Sequence, residues 1–434
     1  MQESSQPASI ETDNTESVIH QIFGDLSSPE AVVINGRDKL LYSYSESNPL
    51  FIHLSVTGRC YARCQGCINT AFKASSSDER IDRGPFKDTN PARDARCIVN
   101  LVKDNDKDIA TVCFYGGEPL LAVDKINQVM ENIGNTLVDK EFRYMLYTNG
   151  DLLDQASQSY PELMKNIWLF SVSIDGTLEQ HERIRPGTSL QKIHTGLAAL
   201  KKIRTGQVLM WSTLREDQSL IDCFNEFSSL HEKGFVDQFF WHWVESSEPF
   251  HVLPGYLAAY EKDLTSILGS YLHSLKNGRI LPIVHINELV LYLLTGKKRN
   301  STACGVELAG NYDILDGRIH SCADLPIEHA IGTIDDQGSP HIISQDLTWL
   351  TDYKKDIGCY ACGVHSYCGG RCPIQAVTGS MARLRQYCQL MRLHVGVVIS
   401  YMDDIEAAMA SQNISPQMLY DRSAFYVQFT DGTP

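Results

Sequence analysis

Ten of the thirteen cysteines fall into two groups whose spacing could do chemistry. Cys60, Cys64 and Cys67 follow one another as C-x3-C-x2-C. Three thiolates on one short loop can hold an iron–sulfur cluster by three irons and leave the fourth iron open to a substrate or cofactor. A zinc site completed by a distant His or Cys is the alternative. The second group runs Cys304-x12-Gly317-x4-Cys322, then Cys359-x2-Cys362-x5-Cys368-x3-Cys372, and closes, after fifteen intervening residues, with Cys388. Zinc ribbons are again the alternative, but seven cysteines do not divide into two sites of four thiolates. Cys97, Cys113 and Cys223 stand alone beside Ile, Val and Phe, and read as buried core residues.

The elements that must position these groups are legible in the apolar pattern. FIHLSV (51–56), IATVCFY (109–115), FRYMLYT (142–148), IWLFSVSI (167–174), QVLMWST (207–213) and FVDQFFWHWV (235–244) predict six strands. Amphipathic helices lie between them, one with Val123, Ile126, Met130, Ile133 and Leu137 on a face, another with Leu190, Ile193, Leu197 and Leu200. Strands separated by helices imply right-handed crossovers and a parallel sheet, here an α/β partial (β/α)6 TIM-like barrel. The C-terminal ends of such strands share one face and build the site. At those ends stand Gly116-Gly117-Glu118, Thr148-Asn149-Gly150 and Ser173-Ile174-Asp175, beside the cysteine loop that follows the first strand. Alternation places Trp243 and Glu245 on one face after the sixth strand, as cavity lining or as core.

The 434 residues then divide as a tail and hairpin (1–49, the hairpin over 31–45), the partial barrel (50–250), a helical linker (251–303, helices at 255–276 and 284–295), a Cys-rich domain (304–390) and a C-terminal helix and tail (391–434). The last helical pattern spans 385–411. Hydrophobic residues at 43% promise a sizeable core, and a net charge of −15 argues against a general nucleic-acid binder. No apolar run reaches membrane-span length, and the polar N-terminus lacks the basic and apolar regions of a secretory signal. A reducing, cytoplasmic setting is expected, in which cysteine clusters ligate metal and do not form disulfides.

From about residue 50 to 245 the chain resembles the radical SAM (S-adenosylmethionine) superfamily. The resemblance implies a [4Fe–4S] cluster on Cys60, Cys64 and Cys67, whose open iron is chelated by SAM. Gly116, Gly117 and Glu118 look like the family's backbone clamp on the methionine amino group, with Asn149 at the next strand end. Ser173 and Asp175 look like the ribose contacts, and Arg185 like the arginine for the SAM carboxylate. One departure stands out: the residue before the third cysteine is usually aromatic, and here it is Gly66. The implied chemistry is reductive cleavage of SAM to a 5′-deoxyadenosyl radical that abstracts hydrogen from an unactivated C–H bond.

The second cysteine array resembles, at all seven positions and the glycine, the SPASM extension of peptide-modifying radical SAM enzymes. What this implies is two auxiliary [4Fe–4S] clusters, making three in all. Cys304, Cys322 and Cys372 would hold the first, and Cys359, Cys362, Cys368 and Cys388 the second. The first is left one thiolate short, which suggests a non-cysteine ligand or an open iron. Asp324 stands two residues after Cys322, where sulfatase-maturing relatives carry an Asp base one residue after theirs; a solvated loop Asp is the other reading. Asp324 and Glu245 are therefore the candidate catalytic residues. The expected function is maturation of a ribosomally made precursor peptide by a side-chain cross-link, carbon–carbon in preference to thioether. An electron donor such as flavodoxin or ferredoxin would be the partner. The alternatives are oxidation of a Ser or Cys, maturation of a peptide-derived redox cofactor, or an electron-carrying iron–sulfur protein without SAM chemistry.

Overall fold

A computed structural model describes residues 18–34, 42–46, 49–67, 87–103, 105–136, 139–308, 310–322, 324–344, 346–377, 379–423 and 434. The six expected strands are present: β1 Leu50–Thr57, β2 Ile109–Gly116, β3 Glu141–Thr148, β4 Ile167–Ser173, β5 Gln207–Leu214 and β6 Gln238–Trp243. They pair in sequence order, and every neighbouring pair is parallel. The sixth begins three residues later than expected, because the Asp237 carboxylate and N–H engage Val208 as a turn before the ladder starts.

Both faces of these strands are covered, so most of their positions are buried. On the outside pack the helices Pro91–Lys103, Val123–Gly134, Leu190–Leu200 and Leu220–Glu232, through Ile98, Ile126, Ile193 and Phe227 among others. On the inside, Phe51, Cys113, Met145, Leu169, Leu209 and Phe240 meet Val284 in a smaller apolar cluster that plugs the barrel. Cys97 and Cys223 lie in the main core, and all three solitary cysteines are fully buried, as their neighbours suggest.

The sheet does not stop at β1. β7 Tyr312–Leu315 pairs parallel to β1, and β8 Arg318–His320, β9 Gly332–Ile334 and β10 Pro340–Ile342 continue antiparallel. Among the described residues the order is therefore β10-β9-β8-β7-β1-β2-β3-β4-β5-β6. Three or four residues per strand are too few for a legible alternation, which is why the Cys-rich segment reads as irregular. Of the hairpin expected over 31–45, residues 35–41 lie outside the described ones, and 31–34 and 42–46 contain no strand. The linker helices are Leu253–Lys276 and Val284–Thr295, and the C-terminal pattern breaks at Tyr401 into Met381–Ser400 and Met402–Ser411. Among the described residues no helix is long and apolar enough to cross a membrane.

Candidate active site

The loop Gly58–Cys67 leaves the C-terminal end of β1 and is clamped from two sides. On one side the Gly117 and Glu118 N–H groups donate to the carbonyls of Thr57 and Arg59, each at 2.8 Å. A Cβ on Gly117 would stand 2.1 Å from the Arg59 carbonyl oxygen, and one on Gly116 2.4 Å from that of Thr57. The Gly-Gly pair is thus dictated by two backbones in contact. On the other side Arg63 and Gln65 donate to the carbonyls of Pro186 (2.8 Å) and Ile184 (3.0 Å).

Glu118 ties the ends of β2 and β3 together. Its buried carboxylate accepts from the Thr148 hydroxyl (2.7 Å) and from the N–H groups of Asn149 (2.7 Å) and Leu120 (3.1 Å). Burial nevertheless pushes its carboxyl up to about 7, against the pull of these donors. Asn149 Oδ1 accepts from the Tyr61 hydroxyl at 2.9 Å, inside the cysteine loop, while its Nδ2 is buried with no hydrogen-bond partner.

Asp175 is the second hub. It is fully buried, and Arg185 meets it through Nε at 2.7 Å from Oδ2. Arg215 Nη1 reaches the same oxygen at 2.9 Å, and the Thr213 N–H donates to Oδ1 at 2.8 Å. Burial alone would raise this carboxyl; Arg185 and Arg215 outweigh burial and hold it below the ordinary range. Both of its oxygens accept from these donors. Both arginines then touch the cysteine loop: Arg185 Nη1 lies 3.7 Å from Cys64 Sγ, and Arg215 Nε donates to the Gln65 carbonyl at 2.6 Å. Ser173 ends β4, half-buried, two residues before Asp175. Gly116, Gly117, Glu118, Asn149, Ser173 and Asp175 therefore stand at or just past strand ends, and Arg185 after the helix Leu178–Ile184, around one loop.

Two residues further along the strands from the apolar plug comes a layer of His53, Tyr115, Tyr147, Trp211 and His242, in ring contact around the inside. His53 Nδ1 lies 2.9 Å from Asp313 Oδ1, its register partner on β7. The Tyr115 hydroxyl is buried without a hydrogen-bond partner. Asp324, half-buried, has Oδ2 3.9 Å from Cys322 Sγ. Glu245 is buried 3.5 Å from both Arg371 Nη2 and His242 Nε2. Trp243 packs in the core against Tyr260 and Tyr387, and Arg371, which meets Glu245, also lies over its ring at 5.1 Å.

The second array separates into two sets. The Cys359 thiol is pushed up by burial and then by the charges of Cys368, Cys388 and Cys362. Cys368 is pushed up to about 12 by burial and then by Cys388. Cys388 rises by burial, against Arg392, with Cys362 adding to the rise. These four thiols thus lie within electrostatic reach of one another. Cys322 has Cys304 as its thiol neighbour, and Tyr353 stands between the sets, near Cys372, Cys359, Cys368 and Cys304. All thirteen cysteines are free of disulfides. Among the described residues no three His, Cys, Asp or Glu side chains form a site for a metal ion.

Arg215, Tyr61, Tyr115 and Arg371 were not marked by sequence reasoning. Arg215 directly follows β5, so the strand-end rule that selected its neighbours was the signal available for it.

Residues 54–213 match the family model of the Radical SAM superfamily. Among solved structures, native anSMEcpe with bound AdoMet superposes with a TM-score of 0.61 at 19% identity, covering 84% of this chain and 99% of that one. The same protein with bound AdoMet and the Cp18Cys peptide gives 0.60 at 19% identity, with the same coverage. No curated protein matches the sequence. That likeness is one of fold, and it extends well beyond the matched core. The clamped three-cysteine loop, at the ends of parallel strands, lies within the residues that match the model of the Radical SAM superfamily.

Proposed function

We propose that this chain is a radical SAM enzyme that matures a peptide by forming a side-chain cross-link, carbon–carbon in preference to thioether. The observation that carries the first half is the clamped loop: three thiols in no disulfide, flanked by Arg185 and by Asn149, whose Nδ2 is buried with no hydrogen-bond partner. That donor set fits a [4Fe–4S] cluster with one open iron, and the orphan Asn149 N–H fits an acceptor on SAM. When bound, the cluster and SAM supply hydrogen abstraction by a carbon-centred radical.

In this reading, this chain's residues bind, orient and dry the site. Gly116, Gly117 and Glu118 fix the loop, and Ser173 and Asn149 face the nucleoside. Asp175 aims Arg185, and the aromatic layer excludes water from the interior. Cys359, Cys362, Cys368 and Cys388, within electrostatic reach of one another, are assigned to one auxiliary cluster, and Cys304, Cys322 and Cys372 to another. Asp324, beside Cys322, is assigned to take the proton lost when the substrate radical is oxidised, its electron to be accepted by an auxiliary cluster, while Glu245, already paired with Arg371, positions the cavity wall. A flavodoxin- or ferredoxin-class donor would supply the electron. The peptide bound in a solved relative supports a peptide substrate here.

The test is anaerobic incubation with SAM, reductant and any small peptide encoded beside the gene, read by mass spectrometry. A cross-link removes two hydrogens and leaves a protease-resistant loop. A second reading, oxidation of a Ser or Cys to an aldehyde, is favoured by Asp324 beside Cys322, and would leave a linear peptide that reacts with hydrazides.

A further inference from the structure

A cleft of about 510 Å³ opens between the cysteine loop at Gly66, the ends of β5 and β6, and the first turn of Met381–Ser400. Its size is that of a small-ligand site. The charges on its wall are almost all spoken for. Glu216 accepts from the N–H groups of His251 and Val252 and faces the His251 ring; Asp217 pairs with Arg183; Glu245 meets Arg371; Arg215 is bound to Asp175. Glu248 is exposed on the rim.

Arg383 is the exception. It is only 4% exposed, yet no carboxylate among the described residues lies within ion-pair distance, and its Nε is buried with no hydrogen-bond partner. What surrounds it is aromatic: its guanidinium carbon is 3.3 Å from the Phe250 ring centroid and 4.9 Å from that of Tyr387. Ring faces orient a guanidinium and partly compensate its lost hydration, and the Tyr387 hydroxyl takes one of its donors, but Nε is left unsatisfied. Arg383 also lies in the first turn of a 20-residue helix capped by Ser380, where the backbone adds positive potential. A buried cation left without an acid runs against the trend of a chain whose net charge is −15.

We propose that this cleft is a subsite for a carboxylate of the substrate peptide, held by Arg383, so that the enzyme selects a peptide with an acidic group near the modified residue. The forked donors of a pre-positioned guanidinium match a carboxylate and reject the isosteric amide. This specificity rests on the peptide-modifying reading above.

The test uses the anaerobically reconstituted protein and two small probes, N-acetyl-glutamate amide and N-acetyl-glutamine amide, followed by saturation-transfer NMR with SAM present. The glutamate probe is expected to bind at least tenfold more tightly than the glutamine probe. Arg383→Gln removes that preference, and Arg383→Lys keeps part of it. Ser247→Glu, an exposed change on the cleft wall, puts a competing carboxylate beside Arg383 and weakens the glutamate probe without touching the helix. Equal binding of the two probes, or an unchanged preference in both Arg383→Gln and Ser247→Glu, overturns the proposal. A tenfold loss of SAM affinity in Arg383→Gln, measured by equilibrium dialysis without probe, also overturns it and assigns the cleft to SAM. Should the wild type form no 5′-deoxyadenosine on reduction with SAM, the enzymatic reading itself fails, whatever the probes show.

Discussion

Asp175 and Arg185, ten residues apart in sequence, form a buried ion pair at 2.7 Å, and the same guanidinium reaches the Cys64 thiol at 3.7 Å. One carboxylate at the end of β4 therefore governs how a cation faces the cysteine loop, and Arg215 repeats the arrangement from β5.

Asp175→Asn leaves two buried guanidiniums without their anion, and should cost about 3 kcal/mol at pH 7 in chemical denaturation. The sign of its pH dependence follows from the depressed carboxyl. The stabilisation is present above the unfolded-chain pKa, about 3.9, and is lost as pH falls through the lower folded value. The gap between wild type and Asp175→Asn should stay constant from pH 7 to about pH 4, and close only below it. A gap that instead shrank between pH 7 and 5 would contradict this pairing.

Gly66 has a φ of +59°, and a Cβ there would meet Val244 Cγ2 at 2.6 Å. Restoring the family's aromatic as Gly66→Phe should destabilise the fold by about 1–2 kcal/mol from backbone strain alone, with crowding added. It should also reduce the iron retained by the loop. A variant as stable and as iron-rich as the wild type would show that the loop does not need its left-handed turn.

Asn149→Asp exchanges the buried, unpartnered N–H2 for an acceptor while keeping the contact to Tyr61. SAM affinity by equilibrium dialysis should fall at least tenfold, the size of one lost hydrogen bond with an unsatisfied acceptor opposite it. Unchanged affinity would mean that Nδ2 faces something other than SAM.

The cysteine partition can be checked by iron content and electron paramagnetic resonance. Cys97→Ala should keep the full iron complement, Cys64→Ala should lose the loop cluster alone, and Cys388→Ala should lose an auxiliary cluster while the SAM-perturbed signal remains. Loss of every cluster in Cys388→Ala would break the assignment of independent sites.

Much of this was legible in the sequence because it rests on period and spacing. Apolar runs mark the six strands, and their C-terminal ends carry Gly116, Glu118, Asn149 and Asp175 to the cysteine loop. What stayed hidden depends on distance in the chain. The Asp175–Arg215 pair spans forty residues, and nothing local marks that pairing. His53 meets Asp313 only because β7 docks on β1, and a four-residue strand has too short a pattern to announce its register. Trp243 and Glu245 looked alike by alternation, but β6 ends at Trp243, so the period no longer holds at Glu245. Arg383 was silent for a further reason: its interest lies in the partner it lacks.

The most direct measurement is the yield of 5′-deoxyadenosine when the reconstituted protein is reduced anaerobically with SAM, compared between wild type and Cys64→Ala. The account predicts 5′-deoxyadenosine from the wild type and none above background from Cys64→Ala, which should still hold its auxiliary iron. No product from a wild type carrying all its clusters, or equal product from both proteins, would contradict it.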